Sequence, residues 1–206
     1  RDVSVELMQR AYARPPEKLY FVGSSEGGRE GLTMAQRYPA DFDGIFSRVP
    51  VINWTALQFA GTRNGLNSMG DAWIRPPLVK LVGDEVLAAC DLVDGLGDGI
   101  VSDPKDCLRR FDVSKLRCIG APNDGCLTDA QIKAIRTLHS PYRFDFDLAN
   151  GVREYPGYGV SGEATAASGP TGGWMSWWSG RAAPVIPPVP ANGIAWFYGS
   201  GAIQYF

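Results

Sequence analysis

The feature that most constrains the fold is a short apolar run that leads into a glycine-framed pair of serines, Lys18-Leu19-Tyr20-Phe21-Val22 followed by Gly23-Ser24-Ser25-Glu26-Gly27-Gly28. A run this short, rich in aromatics and closed by glycine, fits a fully buried strand of a parallel sheet. A helical pattern from about Gly27 to Tyr38 stops at Pro39, and Phe42 to Pro50 reads as a second strand with Pro50 at its end. Upstream, Val5, Met8 and Tyr12 lie at helical spacing behind Ser4 as a cap, and Pro15-Pro16 ends that segment. Helix, strand, glycine-rich turn, helix and strand in this order make one unit of a doubly wound α/β sheet.

After Pro50 the character changes. Residues 54 to 88 carry helical patterns, 90 to 126 hold all the cysteines among many Asp and Gly, and Thr128-Asp129-Ala130-Gln131 opens a capped helix running to 139. From about 141 onward the chain is rich in Gly, Pro and aromatics. The expected organisation is a partial α/β core over 1 to 50 and a large, irregular, α-rich insertion over 51 to 206.

With 45% hydrophobic and 20% charged residues the chain can bury a sizeable core. The formal net charge of −2 comes with scattered Lys and Arg, which leaves no electrostatic footprint for nucleic acid. No apolar run approaches the roughly 18 residues that span a bilayer, so no membrane partner is expected. Cys90, Cys107, Cys118 and Cys126 match neither zinc-site nor redox-pair spacing and read as two disulfides. Three connectivities are possible, of which sequential pairing closes the shortest loops. Such bridges persist in oxidising compartments, so a secreted or periplasmic address is expected; the alternative is four buried free thiols in a cytosolic protein.

Gly23-Ser24-Ser25-Glu26-Gly27 matches G-x-S-x-G, a pattern too common to carry weight without its context. A nucleophilic serine of this type needs a sharp strand-to-helix turn, with small neighbours that avoid clashes, and Gly23, Gly27 and Gly28 suit that need. The turn would aim the backbone N–H of Glu26 at a developing oxyanion, at a helix N-terminus whose dipole favours negative charge. The plainer reading is a βα turn with Ser24 or Ser25 as helix cap. Neither G-x-G-x-x-G nor G-x-x-x-x-G-K-S/T can be placed here, which argues against a nucleotide loop. A serine nucleophile also needs a base and a carboxylate, in chain order Ser, Asp or Glu, His for this fold. The sole histidine, His139, ends a helix of the inserted region, where a structural role suits it better, and no strand-end Asp precedes it.

Cys90-Asp91-Leu92-Val93-Asp94-Gly95-Leu96-Gly97-Asp98-Gly99-Ile100 interleaves three carboxylates with glycines. Hard oxygen ligands at this density suit Ca²⁺, with Asp91, Asp94 and Asp98 ligating by side chain and Leu96 and Ile100 offering carbonyls. The order is not that of an EF-hand, and a solvated acidic turn is the competing reading. A Cys90–Cys107 bridge would staple the loop and favour the metal.

Two stretches, Tyr20 to Leu32 and Cys90 to Pro104, followed by Cys107 and then Cys118 and Cys126, resemble the tannase and feruloyl esterase family, which includes mono(hydroxyethyl) terephthalate hydrolase. The resemblance implies an α/β-hydrolase domain interrupted by a lid that carries structural Ca²⁺ and helps bind a small aromatic ester substrate. It implies that Ser25 is the nucleophile, that the Glu26 N–H donates to the oxyanion, and that Asp91, Asp94, Leu96, Asp98 and Ile100 bind calcium. Family members typically bridge a cysteine just before the nucleophile to one just before the catalytic histidine; here that position is Ser24, which cannot form the bridge. The resemblance further implies that the second oxyanion donor and the catalytic Asp and His lie outside residues 1 to 206, leaving this stretch inactive alone. Trp174, Trp177, Trp178, Trp196, Phe197 and Arg181 could stack on or pair with an aromatic acyl group, or be internal packing. The expected activity is hydrolysis of aromatic acid esters through a serine acyl-enzyme. The alternatives are a non-catalytic calcium-binding recognition module and an α/β hydrolase of another ester class.

Overall fold

The computed structural model describes residues 1–161, 163 and 172–206. The chain divides into two compact units, Arg1–Trp54 and Thr55–Phe206.

The first unit opens with helix α1 (Asp2–Tyr12), which ends at Ala13 in a left-handed conformation. Ser4 lies inside this helix rather than capping it, because Asp2 already places a negative charge in the first turn, where the helix dipole favours it. Strand β1 (Tyr20–Ser24), helix α2 (Glu26–Arg37) and strand β2 (Gly44–Arg48) follow. The strands pair in parallel, with Tyr20 opposite Gly44 and Ser24 opposite Arg48. Helix α2 packs on both, and Phe21 meets Phe42 edge-on at 5.5 Å between ring centroids.

The expectation of a fully buried strand does not hold for β1. Tyr20 and Val22 are 68% and 74% exposed, as is Phe46 at 61%, whereas Gly23 is buried. Side chains alternate across a strand, so α2 covers the face carrying Phe21, Gly23 and Ile45 and leaves the opposite face open.

In the second unit, helices α3 (Trp54–Leu66), α4 (Pro76–Cys90), α5 (Pro104–Arg110), α6 (Asp129–His139), α7 (Gly173–Trp177) and α8 (Ile194–Tyr205) alternate with short 3-10 turns, and a two-residue antiparallel pair joins β3 (Tyr142–Arg143) to β4 (Glu154–Tyr155). Pro at the start of α4 presets its first turn. Leu78, Val79, Val82 and Val86 then line one face and pack with Ile132, Ile135 and Leu138 of α6 in a core that also takes Val160, Trp174 and Trp178. Helix α6 starts from a complete capping box: Thr128 Oγ1 accepts from the Gln131 N–H, and Gln131 Oε1 accepts from the Thr128 N–H at 2.9 Å.

Two disulfides staple this unit, Cys90–Cys107 and Cys118–Cys126, with Cα separations of 5.4 and 4.9 Å. This is the sequential pairing. The first bridge ties the end of α4 to α5 across the Asp-Gly loop. Among the described residues no helix is long and apolar enough to cross a membrane.

Candidate active site

At the end of β1 the chain reverses into α2 through Ser25, which has φ 59° and ψ −115°. A non-glycine residue with positive φ in this region is strained, at a cost of about 1–3 kcal/mol, and persists where its surroundings hold it. They do so from both sides. The Ser25 N–H donates to the Arg48 carbonyl at 3.0 Å, and the Ser25 carbonyl accepts from the N–H groups of Arg29 and Val51 at 3.2 and 3.3 Å. Arg48 at the end of β2 and Val51 just beyond it thus clamp the turn, and Val49 between them has a positive φ of its own, 40°.

The turn admits no side chain at two of its glycines. A Cβ on Gly23 would lie 2.0 Å from the Gly27 carbonyl oxygen, and one on Gly28 would lie 2.6 Å from that of Arg48. Gly27, which the sequence pattern marked equally, has open space around it. Each glycine inside a helix costs about 1 kcal/mol relative to Ala. At Gly28 that cost is offset by the closeness of α2 to the end of β2.

Ser25 and Glu26 are both exposed. Glu26 is the first helical residue, so its N–H is among the donors a helix leaves without an internal acceptor. Its carboxylate pairs with Arg29 one turn on, and that hydrogen bond raises the guanidinium pKa further. The structure therefore brings together the exposed serine, an unclaimed N–H beside it and a helix N-terminus.

The sole histidine of the sequence is His139. It is buried in the second unit, with Nδ1 2.8 Å from the Tyr158 carbonyl and Nε2 2.9 Å from Glu163 Oε1. Nδ1 is hydrogen-bonded, and Nε2 faces the Glu163 carboxyl at ion-pair distance. Neither Glu163 nor the Arg48–Val51 clamp stood out in the sequence; Pro50 at the strand end was the only cue to the latter.

The Asp-Gly loop starts as a 3-10 turn over Asp91–Asp94 that ends at Gly95 with φ 89°. Asp94 Oδ1 accepts from the Leu96 N–H at 2.9 Å, Asp91 Oδ1 from the Gly99 N–H at 2.8 Å, and Asp98 Oδ1 from the Ile100 N–H at 3.0 Å. These bonds shape the loop and leave it exposed. Among the described residues no three His, Cys, Asp or Glu side chains are gathered closely enough to hold a metal ion. The donor chemistry suits a hard cation, but the carboxylates are not convergent.

Of the lid aromatics, Trp174, Trp178 and Trp196 are buried. Trp174 and Trp178 meet edge-on at 4.6 Å, Trp178 Nε1 donates to the Asn64 carbonyl, and Trp196 Nε1 to that of Val185. These three are internal packing. Trp177, Phe197 and Arg181 are exposed.

The family described as "Tannase and feruloyl esterase" matches residues 1–206. An uncharacterized esterase of Agrobacterium fabrum is 38% identical over 167 residues, 76% of this chain and 30% of that protein. The mono(2-hydroxyethyl) terephthalate hydrolase of Piscinibacter sakaiensis is 33% identical over 196 residues, 83% of this chain and 32% of that protein. In structure, an esterase from Aspergillus oryzae superposes with a TM-score of 0.75 at 27% identity, covering 99% of this chain and 36% of the other. Feruloyl esterase B from the same organism gives 0.72 at 27% identity, covering 93% and 36%. The chain thus spans about a third of the length of these relatives, and its fold is part of an α/β-hydrolase with a helix-rich insertion. The chain belongs to the tannase and feruloyl esterase family.

Proposed function

We propose that this chain supplies the nucleophile and the lid of a serine carboxylic ester hydrolase acting on esters of aromatic acids, at a secreted or periplasmic address. The observation that carries the reading is the strained Ser25 backbone at the strand-to-helix turn. The Ser25 Oγ attacks the ester carbonyl, and the oxygen that gains negative charge meets the Glu26 N–H at the start of α2. Collapse of the tetrahedral species expels the alcohol and leaves an acyl group on Ser25, which water then removes. The proton from Ser25 goes to a base other than His139, which is buried with Nδ1 on the Tyr158 carbonyl and Nε2 against Glu163. The aromatic substrate class rests on the feruloyl esterase and terephthalate-ester hydrolase among the relatives.

The Asp91–Ile100 loop is proposed as a structural Ca²⁺ site, with carboxylates from Asp91, Asp94 and Asp98 and carbonyls from Leu96 and Ile100 drawn together by the cation. It supplies no step of the reaction. The two disulfides support the oxidising address.

The test is mass labelling with a serine-directed phosphonate in an active ester hydrolase that contains this chain. Modification at Ser25, with Ser25→Ala lowering ester turnover on the order of 10⁴-fold or more, is expected. An active enzyme labelled elsewhere would overturn the assignment.

A further inference from the structure

The sole histidine of the sequence sits in an arrangement that the proposed reaction does not use. Residues 157–161 lie as a strap over the C-terminal end of α6. A Cβ on Gly157 would fall 2.1 Å from the His139 carbonyl oxygen, so only glycine admits this approach. The Tyr158 N–H donates to the Leu138 carbonyl at 3.0 Å, and Val160 is fully buried in the core. Beyond it, the Glu163 side chain is 0% exposed and its Oε1 lies 2.9 Å from His139 Nε2.

The tautomer follows from the partners. The Tyr158 carbonyl can only accept, so His139 Nδ1 carries a proton in every state. Nε2 faces a carboxylate and is protonated when the imidazole is charged. Loss of that proton removes the one cationic partner that the buried Glu163 carboxyl has among the described residues, where neither of its oxygens finds a hydrogen-bond donor of good geometry. Trp174, 6.0 Å from the imidazole between ring centroids, offers no charge to replace it.

We propose that His139 and Glu163 form a proton-dependent clasp on this strap, closed while the imidazole is charged and loosened once it is neutral.

The neighbouring charges do not supply another switch in the same range. On α6 itself Arg136 points to Asp112 at 3.6 Å, and both line, with His139, a groove of about 290 Å³ toward Phe111 and Leu108. The Asp112 carboxyl is held low by Ser114 and stays ionised. From α3, Arg63 donates to the carbonyls of Thr137, Ser140 and Pro141 and lies over the Tyr142 ring. In the strap, burial pushes the Tyr158 hydroxyl up to about 12, and in β4 burial also raises that of Tyr155. For His139, burial disfavours the charge, but the hydrogen bond and charge of Glu163 together with the Tyr158 carbonyl outweigh it, so the pKa is raised. A raised folded value means that the clasp is fully present below the ordinary histidine range and is lost as pH rises through the folded value.

Because His139 is the only histidine, nitrogen-15 histidine NMR of the 206-residue chain reads this group alone. The expected result is an imidazole that titrates above an exposed histidine and keeps Nδ1–H when neutral. Amide exchange read as the protection of Tyr158 relative to Ile135, which cancels base catalysis, should step down through the same midpoint. In Glu163→Gln the midpoint should fall below that of an exposed histidine and the step should vanish. A wild-type midpoint at or below the exposed value, an Nε2–H neutral form, or a protection ratio without a step would each overturn the proposal, whether or not the variant folds.

Discussion

Ser25 holds φ 59° because the Arg48 carbonyl and the Arg29 and Val51 N–H groups fix its peptide units. The strain is independent of the hydroxyl, so Ser25→Ala should abolish phosphonate labelling while shifting stability by less than about 0.5 kcal/mol. Glycine reaches the same φ and ψ without a Cβ penalty, so Ser25→Gly should be more stable than Ser25→Ala by about 1 kcal/mol, and just as inert. Urea unfolding of the two variants checks the sign. A Ser25→Gly chain less stable than Ser25→Ala would mean that the turn is not strained. The strand-to-helix turn at Ser25 was legible in the sequence, since the glycines framed it. Its clamp was not, because the interactions run through backbone atoms of Arg48 and Val51, which leave no residue-type signature.

At the scale of elements, α2 is set against β2 by Gly28 and α6 is started by Thr128. Gly28→Ala puts a methyl 2.6 Å from the Arg48 carbonyl oxygen, a backbone atom that cannot swing aside. A cost of about 1–3 kcal/mol is expected, with displacement of the turn. Gly27→Ala, in open space, should stabilise α2 by about 1 kcal/mol, and comparing the two by thermal unfolding separates close approach from helix propensity. The acidic loop between α4 and α5 closes by its own Asp-to-backbone bonds and by the Cys90–Cys107 bridge. If it also takes Ca²⁺, chelation should lower Tm in wild type and have no effect in Asp98→Ala, with elemental analysis reporting the metal directly. Helix positions were legible because apolar periodicity and caps are local, as Thr128 and Gln131 show. The exposure of Tyr20 and Val22 was not, since a strand sequence specifies a need for cover but not what supplies it.

Across the whole molecule, the chemistry of a serine ester hydrolase needs a base that can reach the nucleophile, and this sequence offers a single imidazole. His139 cannot serve while it is buried with Nδ1 on the Tyr158 carbonyl and Nε2 against Glu163. The sequence placed it at a helix end and so suggested a structural role, but its partner lies 24 residues along the chain, beyond the reach of local pattern. The 206-residue chain is therefore expected to turn over aromatic esters no faster than a Ser25→Ala control. Residual catalysis from the Glu26 N–H and the helix terminus alone would not depend on the Ser25 hydroxyl. Stopped assays with a chromogenic aromatic ester, run on both chains and on His139→Gln, decide the matter. Turnover that requires Ser25 and disappears in His139→Gln, with the fold retained by circular dichroism, would show that His139 leaves its pocket to act as the base.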